Sequence, residues 1–464
     1  MNLLLVILHV FFVTFTDKPD KSAPALSPRA VEQREKWNIQ IDNLDFPVST
    51  LYMDSLLKSG VTKIYHTSRW FNGVTCEMTI ENAENIRQLD FVKNIEITRD
   101  DSPAGIFYAK RKMPVKKADE NWTDDQLALY NLLPLHEAGF EGQDILMTVC
   151  DGGFYKANTL DCFRQEDLEL GHFDFTDDTD DFYGITGAHG TECLSVITGI
   201  KDGFYGAATR AKYYLMRSEE NDTESPKEMD NLIAALETSD SLGVNVFSVS
   251  LGYAMFDNDG WTLPKSALDG KSTRCSQAAT IAARKGMLVC VAAGNEGEDA
   301  WQTISVPADA DSILTVGAVR ADSTIGTFSS FGPSADGRVK PDVCAVGVQT
   351  TLISPDGTVV KGSGTSFATP LLAGMAATLW SALPNENAMQ IRERIIRSAD
   401  RYANPDTKRY GYGIPNAWMA YQMDIDEGIT PAHTSPGNTR KILQGNQIII
   451  LRGDRTYDLL GRKL

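Results

Sequence analysis

The sequence predicts an α/β fold: a mostly parallel central sheet covered by helices, preceded by a small α+β domain. Two observations carry that prediction. Across residues 126–425, short apolar runs of strand length alternate with stretches whose apolar residues recur at helical spacing. That alternation is the pattern of a parallel sheet with crossover helices. In the same region Asp151, Ser250 and Asn295 stand just past apolar runs, where open α/β sheets gather their functional groups.

The elements follow in chain order. Residues 3–15 are apolar apart from His9 and Thr14. A dozen such residues cannot span a bilayer, so no transmembrane anchor is expected. Two overlapping readings remain. Residues 1–16 form a signal-peptide core, although no Lys or Arg precedes it and no small-x-small cleavage site follows. Alternatively, residues 9–16 form the first strand of the N-terminal domain. Residues 9–98 mix strand-like and helix-like stretches and make up the small α+β domain. Residues 99–125 are polar, with Pro103, Pro114, Lys110-Arg111-Lys112 and Lys116-Lys117, and read as an exposed, cleavable linker.

In the large domain, residues 145–150 are a buried strand closing on Asp151. Residues 212–216, 244–250 and 288–292 are further strands. Met229, Leu232, Ile233 and Leu236 share one helix face, and Ala278, Ala279, Ile281 and Ala282 another. Residues 366–379 and 388–398 are helical in pattern. The tail, residues 426–464, begins turn-rich and carries a strand-like run at 447–451.

Composition removes several function classes. A formal net charge of −18 leaves no basic surface to neutralise many phosphates, which argues against nucleic acid. With 42% hydrophobic and 23% charged residues, the chain is globular and not disordered. The seven cysteines contain no C-x-x-C pair, so no zinc knuckle or redox motif is indicated. Cys150, Cys290 and Cys344 lie in apolar stretches and are expected as buried thiols. The acid-rich segments 174–181 and 218–230 are expected to be solvated loops. His136-Glu137 begins a zincin-like motif, but Phe140 stands where the second His is required.

Four short motifs carry chemistry. Asp151 precedes Gly152-Gly153. His189-Gly190-Thr191 opens an apolar-periodic run. Asn295 lies in Ala292-Ala293-Gly294-Asn295-Glu296-Gly297, and Ser366 opens a helix in Gly364-Thr365-Ser366-Phe367-Ala368-Thr369-Pro370. Each alone has an ordinary reading as a turn, a cap or a surface residue. Together they supply a hydroxyl, a base, a group to orient the base and an amide donor. That is what nucleophilic acyl transfer requires.

On these motifs the chain resembles the subtilisin-like serine peptidases, the subtilases, in which the order is Asp, His, Ser. The resemblance runs over residues 144–421 and includes Ser250-Leu251-Gly252, Val306-Pro307-Ala308, Phe328-Ser329-Ser330-Phe331-Gly332-Pro333 and Lys340-Pro341-Asp342. It implies a subtilisin-like three-layer fold and a secreted endopeptidase. It assigns Ser366 as nucleophile, His189 as general base, Asp151 as its orienting partner and Asn295 as oxyanion donor. Ser250, Leu251, Gly252, Ala292, Ala293 and Gly294 would line the primary specificity cleft. Two positions depart from the family's habit: Gly152 replaces a Ser or Thr, and Glu192 replaces a His. Glu192 is expected to raise the pKa of His189.

The N-terminal zone resembles the family's inhibitor-like propeptides at Trp70-Phe71-Asn72-Gly73-Val74 and at Leu89-Asp90-Phe91-Val92-Lys93-Asn94-Ile95-Glu96. Phe15-Thr16-Asp17-Lys18 matches the end of such a propeptide's first strand, which favours the strand reading. The resemblance implies a zymogen held by its own propeptide and cut between Asp100 and Asp125. Gly453-Asp454-Arg455-Thr456-Tyr457-Asp458-Leu459-Leu460-Gly461-Arg462 resembles C-terminal sorting segments of some secreted Gram-negative proteins, or forms a plain two-strand hairpin. No cofactor is required for the chemistry. Structural calcium is known in the family, but no ligand set can be numbered here. An acidic cleft would favour basic residues before the scissile bond, yet the sequence does not place those acids. A catalytically silent binding protein on the same scaffold would lack one of the four residues. An α/β-hydrolase esterase would need Gly-x-Ser-x-Gly and the order Ser, Asp, His.

Overall fold

The computed structural model describes residues 7–20, 22–100, 116–117, 123–163, 167–176, 181–184, 187–220, 223–424, 439–444, 447–452 and 455–457. Residues 1–423 form one compact unit and residues 424–464 a second.

The N-terminal domain contains β1 (His9–Phe15), α1 (Pro28–Lys36), α2 (Thr50–Lys58), β2 (Lys63–Ser68), β3 (Gly73–Met78), α3 (Ile80–Ile86) and β4 (Val92–Asp100). Its antiparallel sheet has the order β2-β3-β1-β4. β1 is therefore a central strand, as the second reading of the apolar N-terminus expected. Phe11, Val13 and Phe15 enter the domain core with Val74, Cys76 and Met78. Val10 and Phe12 are buried as well, and the Arg274 guanidinium of the large domain lies 4.0 Å from the Phe12 ring. A strand buried on both faces reads as a continuous apolar run, which is why it also resembles a signal core. Residues 1–6 of that run lie outside the described residues.

β4 continues to Asp100, so Arg99 and Asp100 belong to a strand and not to the linker. Pro103, Lys110-Arg111-Lys112 and Pro114 lie outside the described residues. Lys116–Lys117 forms β5.

The large domain begins with α4 (Asp124–Ala128) and α5 (Leu133–Glu137). It continues through β6 (Leu146–Asp151), β7 (Glu169–Asp174), α6 (His189–Thr198), β8 (Ile200–Lys201), β9 (Phe204–Tyr205), β10 (Lys212–Arg217), α7 (Pro226–Leu242) and β11 (Val246–Val249). Then come α8 (Arg274–Arg284), β12 (Leu288–Ala292), β13 (Leu314–Val319), β14 (Val343–Val346), β15 (Thr350–Ile353), β16 (Val359–Gly362), α9 (Thr365–Ala382), α10 (Ala388–Arg397) and α11 (Ala417–Gln422).

Seven strands form a parallel sheet in the order β14-β13-β12-β11-β6-β10-β7. α6 and α9 pack in one core with β6 residues Met147 and Val149. α7 and α8 pack in the other with Phe247, Val289 and Val291. The three layers follow from this division. Strand order reverses around β6, which makes its carboxyl end a switch point.

The N-terminal domain docks on α7 and α8 through buried charges. Arg34 reaches Asp240 at 2.8 Å and Asp45 at 2.9 Å, and Arg69 reaches Asp240 at 2.6 Å. Lys285 pairs with Asp45 at 2.7 Å. Glu237 accepts the Ser68 hydroxyl (2.5 Å) and the Arg69 amide (2.8 Å). His66 Nε2 lies 2.9 Å from both the Phe175 carbonyl and Asn231 Oδ1.

The solvated-loop expectation for 218–230 is overturned. Glu219, Glu224, Glu228 and Asp230 are all buried. Their partners explain it: Glu228 caps the start of α7 by accepting the Ser225 and Glu220 amides, and Arg274 pairs with Asp230 at 2.9 Å. In segment 174–181, Asp174 pairs with Arg217 at 3.0 Å, while residues 177–180 lie outside the described residues. All seven cysteines are unpaired and buried.

The second unit contains β17 (Thr439–Gln444), β18 (Gln447–Arg452) and β19 (Arg455–Tyr457), paired antiparallel in that order. It has one more strand than a plain hairpin. Residues 430–438 and 458–462 lie outside the described residues. Among the described residues no helix is long and apolar enough to cross a membrane.

Candidate active site

β6 delivers Asp151 to the carboxyl edge of the sheet, where its side chain is 1% exposed. The carboxylate accepts the Gly152 amide at 2.8 Å and faces His189 Nδ1 at 2.8 and 3.0 Å through its two oxygens. His189 opens α6, and the approach requires glycine beside it. A Cβ on Gly190 would stand 2.5 Å from the Gly153 carbonyl and 2.9 Å from Asp151 Cβ. Gly152, which stands where the resemblance led one to expect Ser or Thr, still supplies its backbone donor. With Nδ1 engaged by Asp151, the tautomer leaves Nε2 as the acceptor.

Burial opposes charge on His189, but the Asp151 carboxylate outweighs it and holds the imidazole well above its ordinary value, with Cys193 also raising it. Burial pushes the Cys193 thiol up to about 11, so near neutrality that thiol is uncharged and Asp151 is the operative charge.

Ser366 is the second residue of α9 and is 7% exposed. Its carbonyl accepts the Ser250 hydroxyl at 2.8 Å and lies 3.3 Å from Cys193 Sγ, which is itself 3.8 Å from His189 Nδ1. The Phe367 ring sits 5.5 Å from the His189 ring. These contacts bring the serine segment against the histidine. Among the described residues the Ser366 hydroxyl carries no hydrogen bond. Hydrogen bonds of this kind commonly tighten only when substrate is bound. Ser195, also on α6, is committed elsewhere: its buried hydroxyl donates to the Glu192 carbonyl (2.7 Å) and accepts the Ile353 amide (2.9 Å).

Asn295 is oriented from the Ser366 segment. Its Oδ1 accepts the Thr365 amide at 2.8 Å and the Thr365 hydroxyl at 3.0 Å. Because the backbone N–H can only donate, the oxygen must face Thr365, and Nδ2 is left with both protons to offer. The Gly294 amide donates to the same hydroxyl at 3.2 Å. Sequence reasoning missed Thr365 and Cys193. The signals were adjacency to Ser366 for the first and the i+4 position from His189 on one helix face for the second.

Of the six residues expected to line the cleft, Ser250 and Leu251 are half-buried, Gly252 is exposed and Gly294 is half-buried. Ala292 and Ala293 are 5% and 0% exposed, one closing β12 and the other sealed behind it. Their side chains belong to the core, and only Gly294 of that trio opens outward. Glu219, Glu224 and Glu228 bring three carboxylates within 4.8 Å of one another, a spacing compatible with a cation, although Glu228 already accepts two backbone amides.

The subtilase family model matches residues 142–413, and the peptidase S8 propeptide domain of Bacteroidota matches residues 10–114. Serine protease AprX of Bacillus subtilis strain 168 is 37% identical over 153 residues, which cover 28% of this chain and 34% of AprX. Subtilisin NAT of Bacillus subtilis subsp. natto is 29% identical over 292 residues, 62% of this chain and 68% of that protein. Among solved structures, MycP1 from Mycobacterium smegmatis shares the fold with a TM-score of 0.54 at 20% identity, covering 69% of this chain and 91% of its own. The chain therefore belongs to the subtilase family of serine endopeptidases and carries an N-terminal propeptide domain.

Proposed function

We propose that this chain is a secreted serine endopeptidase, made as a self-processed zymogen, with Ser366 as nucleophile. The observation that carries the reading is the convergence at one sheet edge of the Asp151–His189 pair, the Ser366 segment and an Asn295 amide pinned by Thr365.

Ser366 Oγ attacks the scissile carbonyl while His189 Nε2 takes its proton, and Asp151 stabilises the imidazolium that forms. The Asn295 Nδ2 group and the Ser366 backbone N–H receive the oxyanion. The start of α9 puts the positive end of a helix dipole beside that developing charge. His189 then passes the proton to the leaving amine. Water attacks the acyl-enzyme by the same route in reverse. The chemistry so read needs no cofactor. Substrate backbone would add as an extended strand along Ser250–Gly252. The docked N-terminal domain would inhibit until the chain between Asp100 and Asp125 is cut.

The test labels the processed protein with an active-site serine probe. Labelling of wild type and none of Ser366→Ala supports the reading, and equal labelling removes Ser366 from its role. Sequencing of the mature N-terminus checks maturation; an active form retaining residues 9–98 would overturn the zymogen.

A further inference from the structure

The chain between β10 and α7 turns its carboxylates inward. Glu219, Glu224 and Glu228 are 3%, 8% and 0% exposed, and one oxygen from each lies within 4.8 Å of the other two. Glu219 stands two residues past β10, Glu224 two residues before α7, and Glu228 in the first turn of that helix. Backbone contacts fix this arrangement. The Glu220 and Ser225 amides donate to the two oxygens of Glu228 at 2.8 and 3.3 Å, and the Glu224 amide donates to Asp257 at 2.8 Å. A carboxylate has about four lone-pair sites, so Glu228 keeps capacity after both amides are served.

A second observation comes from another part of the fold. Tyr253 follows the Ser250-Leu251-Gly252 segment and is 0% exposed. Its hydroxyl reaches hydrogen-bond geometry with no described residue, yet it faces Glu219 and Glu228. A buried phenol ordinarily finds a partner. Here a water or an ion among the carboxylates would complete it. The neighbouring Glu220 shows how a carboxylate of this segment is balanced from within the chain, by Lys227 and by Arg99 at 3.3 Å.

Three carboxylates this close repel one another in buried surroundings, and a cation among them turns the repulsion into attraction. The donors are all oxygen and carry negative charge, which selects a hard cation. Calcium holds its ligands at about 2.3–2.6 Å, so two ligands of one ion stand at most about 5 Å apart. Magnesium, at about 2.0–2.1 Å, demands a closer set. The spacing here suits the larger ion.

We propose that Glu219, Glu224 and Glu228 bind one calcium ion, and that the Tyr253 hydroxyl bonds to a water on that ion. The ion takes no part in bond cleavage. It ties the chain after β10 to the first turn of α7 and to the segment that follows β11.

The experiment uses the full-length chain carrying Ser366→Ala to prevent self-digestion. That protein is stripped with EDTA and titrated with calcium chloride by calorimetry, then melted with and without the ion. Calcium is expected to raise Tm by a few degrees. In the same background, Glu224→Gln is expected to bind one fewer calcium ion per chain, or to bind it at least about tenfold more weakly, and to lose most of the rise in Tm. Glu219→Gln is expected to do the same. Neither change touches the Glu228 cap of α7, and matching circular dichroism spectra show that both variants are folded. Comparison with the parent cancels calcium bound elsewhere. A parent that takes up no calcium, or two variants that bind as many ions as tightly as the parent, overturns the proposal. A rise in Tm of the same size with magnesium chloride overturns the assignment to calcium.

Discussion

The docking face and the catalytic cleft handle charge in opposite ways. On the docking face, Arg34, Arg69 and Lys285 are set against Asp45, Glu237 and Asp240, all buried and paired within one chain. In the cleft, the Ser366 hydroxyl and the Asn295 amide protons carry no hydrogen bond among the described residues, and the Glu296 carboxylate is held by the Ser330 hydroxyl with no basic side chain paired to it. One surface is complete once the chain folds on itself. The other is complete only when a second chain enters. The two imidazoles repeat the contrast. His189 faces Asp151 and is held above its ordinary value, whereas burial and the Lys227 ammonium keep His66 below it.

The largest test of this contrast is Ser366→Ala. It should lower kcat roughly a millionfold, the scale on which subtilisin itself responds to loss of its serine, while leaving the docked precursor intact on a denaturing gel. In that uncut background, Asp240→Ala attacks the other surface by stranding Arg34 and Arg69. It should weaken docking by about 3–5 kcal/mol, seen as a lower urea midpoint or faster trypsin digestion of residues 9–98. An unchanged midpoint would mean that the ionic face does not hold the domain.

Asn295→Ala returns to the cleft. It should reduce kcat about 10²–10³-fold with little change in KM, as loss of the corresponding donor does in subtilisin. A pure KM effect would assign Asn295 to substrate binding instead. His66→Gln should give the smallest effect. A docked His66 prefers to be neutral, so its contribution is whole above the ordinary histidine value of about 6.5. It is lost as pH falls below that value toward the lowered one. Glu237 and Asp240, raised chiefly by burial, act in the opposite direction. The readout is therefore the difference between proteins: wild type should loosen more than His66→Gln between pH 7 and 5, by about 1 kcal/mol or less. Parallel curves would remove His66 as the sensing group.

Much of the site was legible because its geometry is written in local chemistry. Asp151, His189, Asn295 and Ser366 each stand where a strand ends or a helix begins, with glycines that permit close approach, and such boundaries leave marks in sequence. A parallel sheet covered by helices followed from the alternation of apolar runs, whereas the order of its strands did not. What stayed hidden depends on distant partners. Segment 218–230 looked solvated because Arg274, the cation that draws Asp230 inward, lies more than forty residues away. Ala293 is buried because its amide pairs with the Val316 carbonyl, a partner more than twenty residues away. Thr365 acquires its role only when the β12 and α9 segments meet. Tertiary approach creates those roles, and no spacing encodes them.

The seven buried thiols bear on how this protein must come into being. In the unfolded chain each is an ordinary cysteine with a pKa near 8.5, open to oxidants and to its six neighbours. Folding removes all seven from reach, and burial pushes Cys76 up to about 12 and Cys162 to about 11. Nucleophiles become packing material, protected by enclosure alone. Where the chain folds under oxidising conditions, collapse has to outrun oxidation, and a chain that loses that race is mispaired before it can bury its thiols.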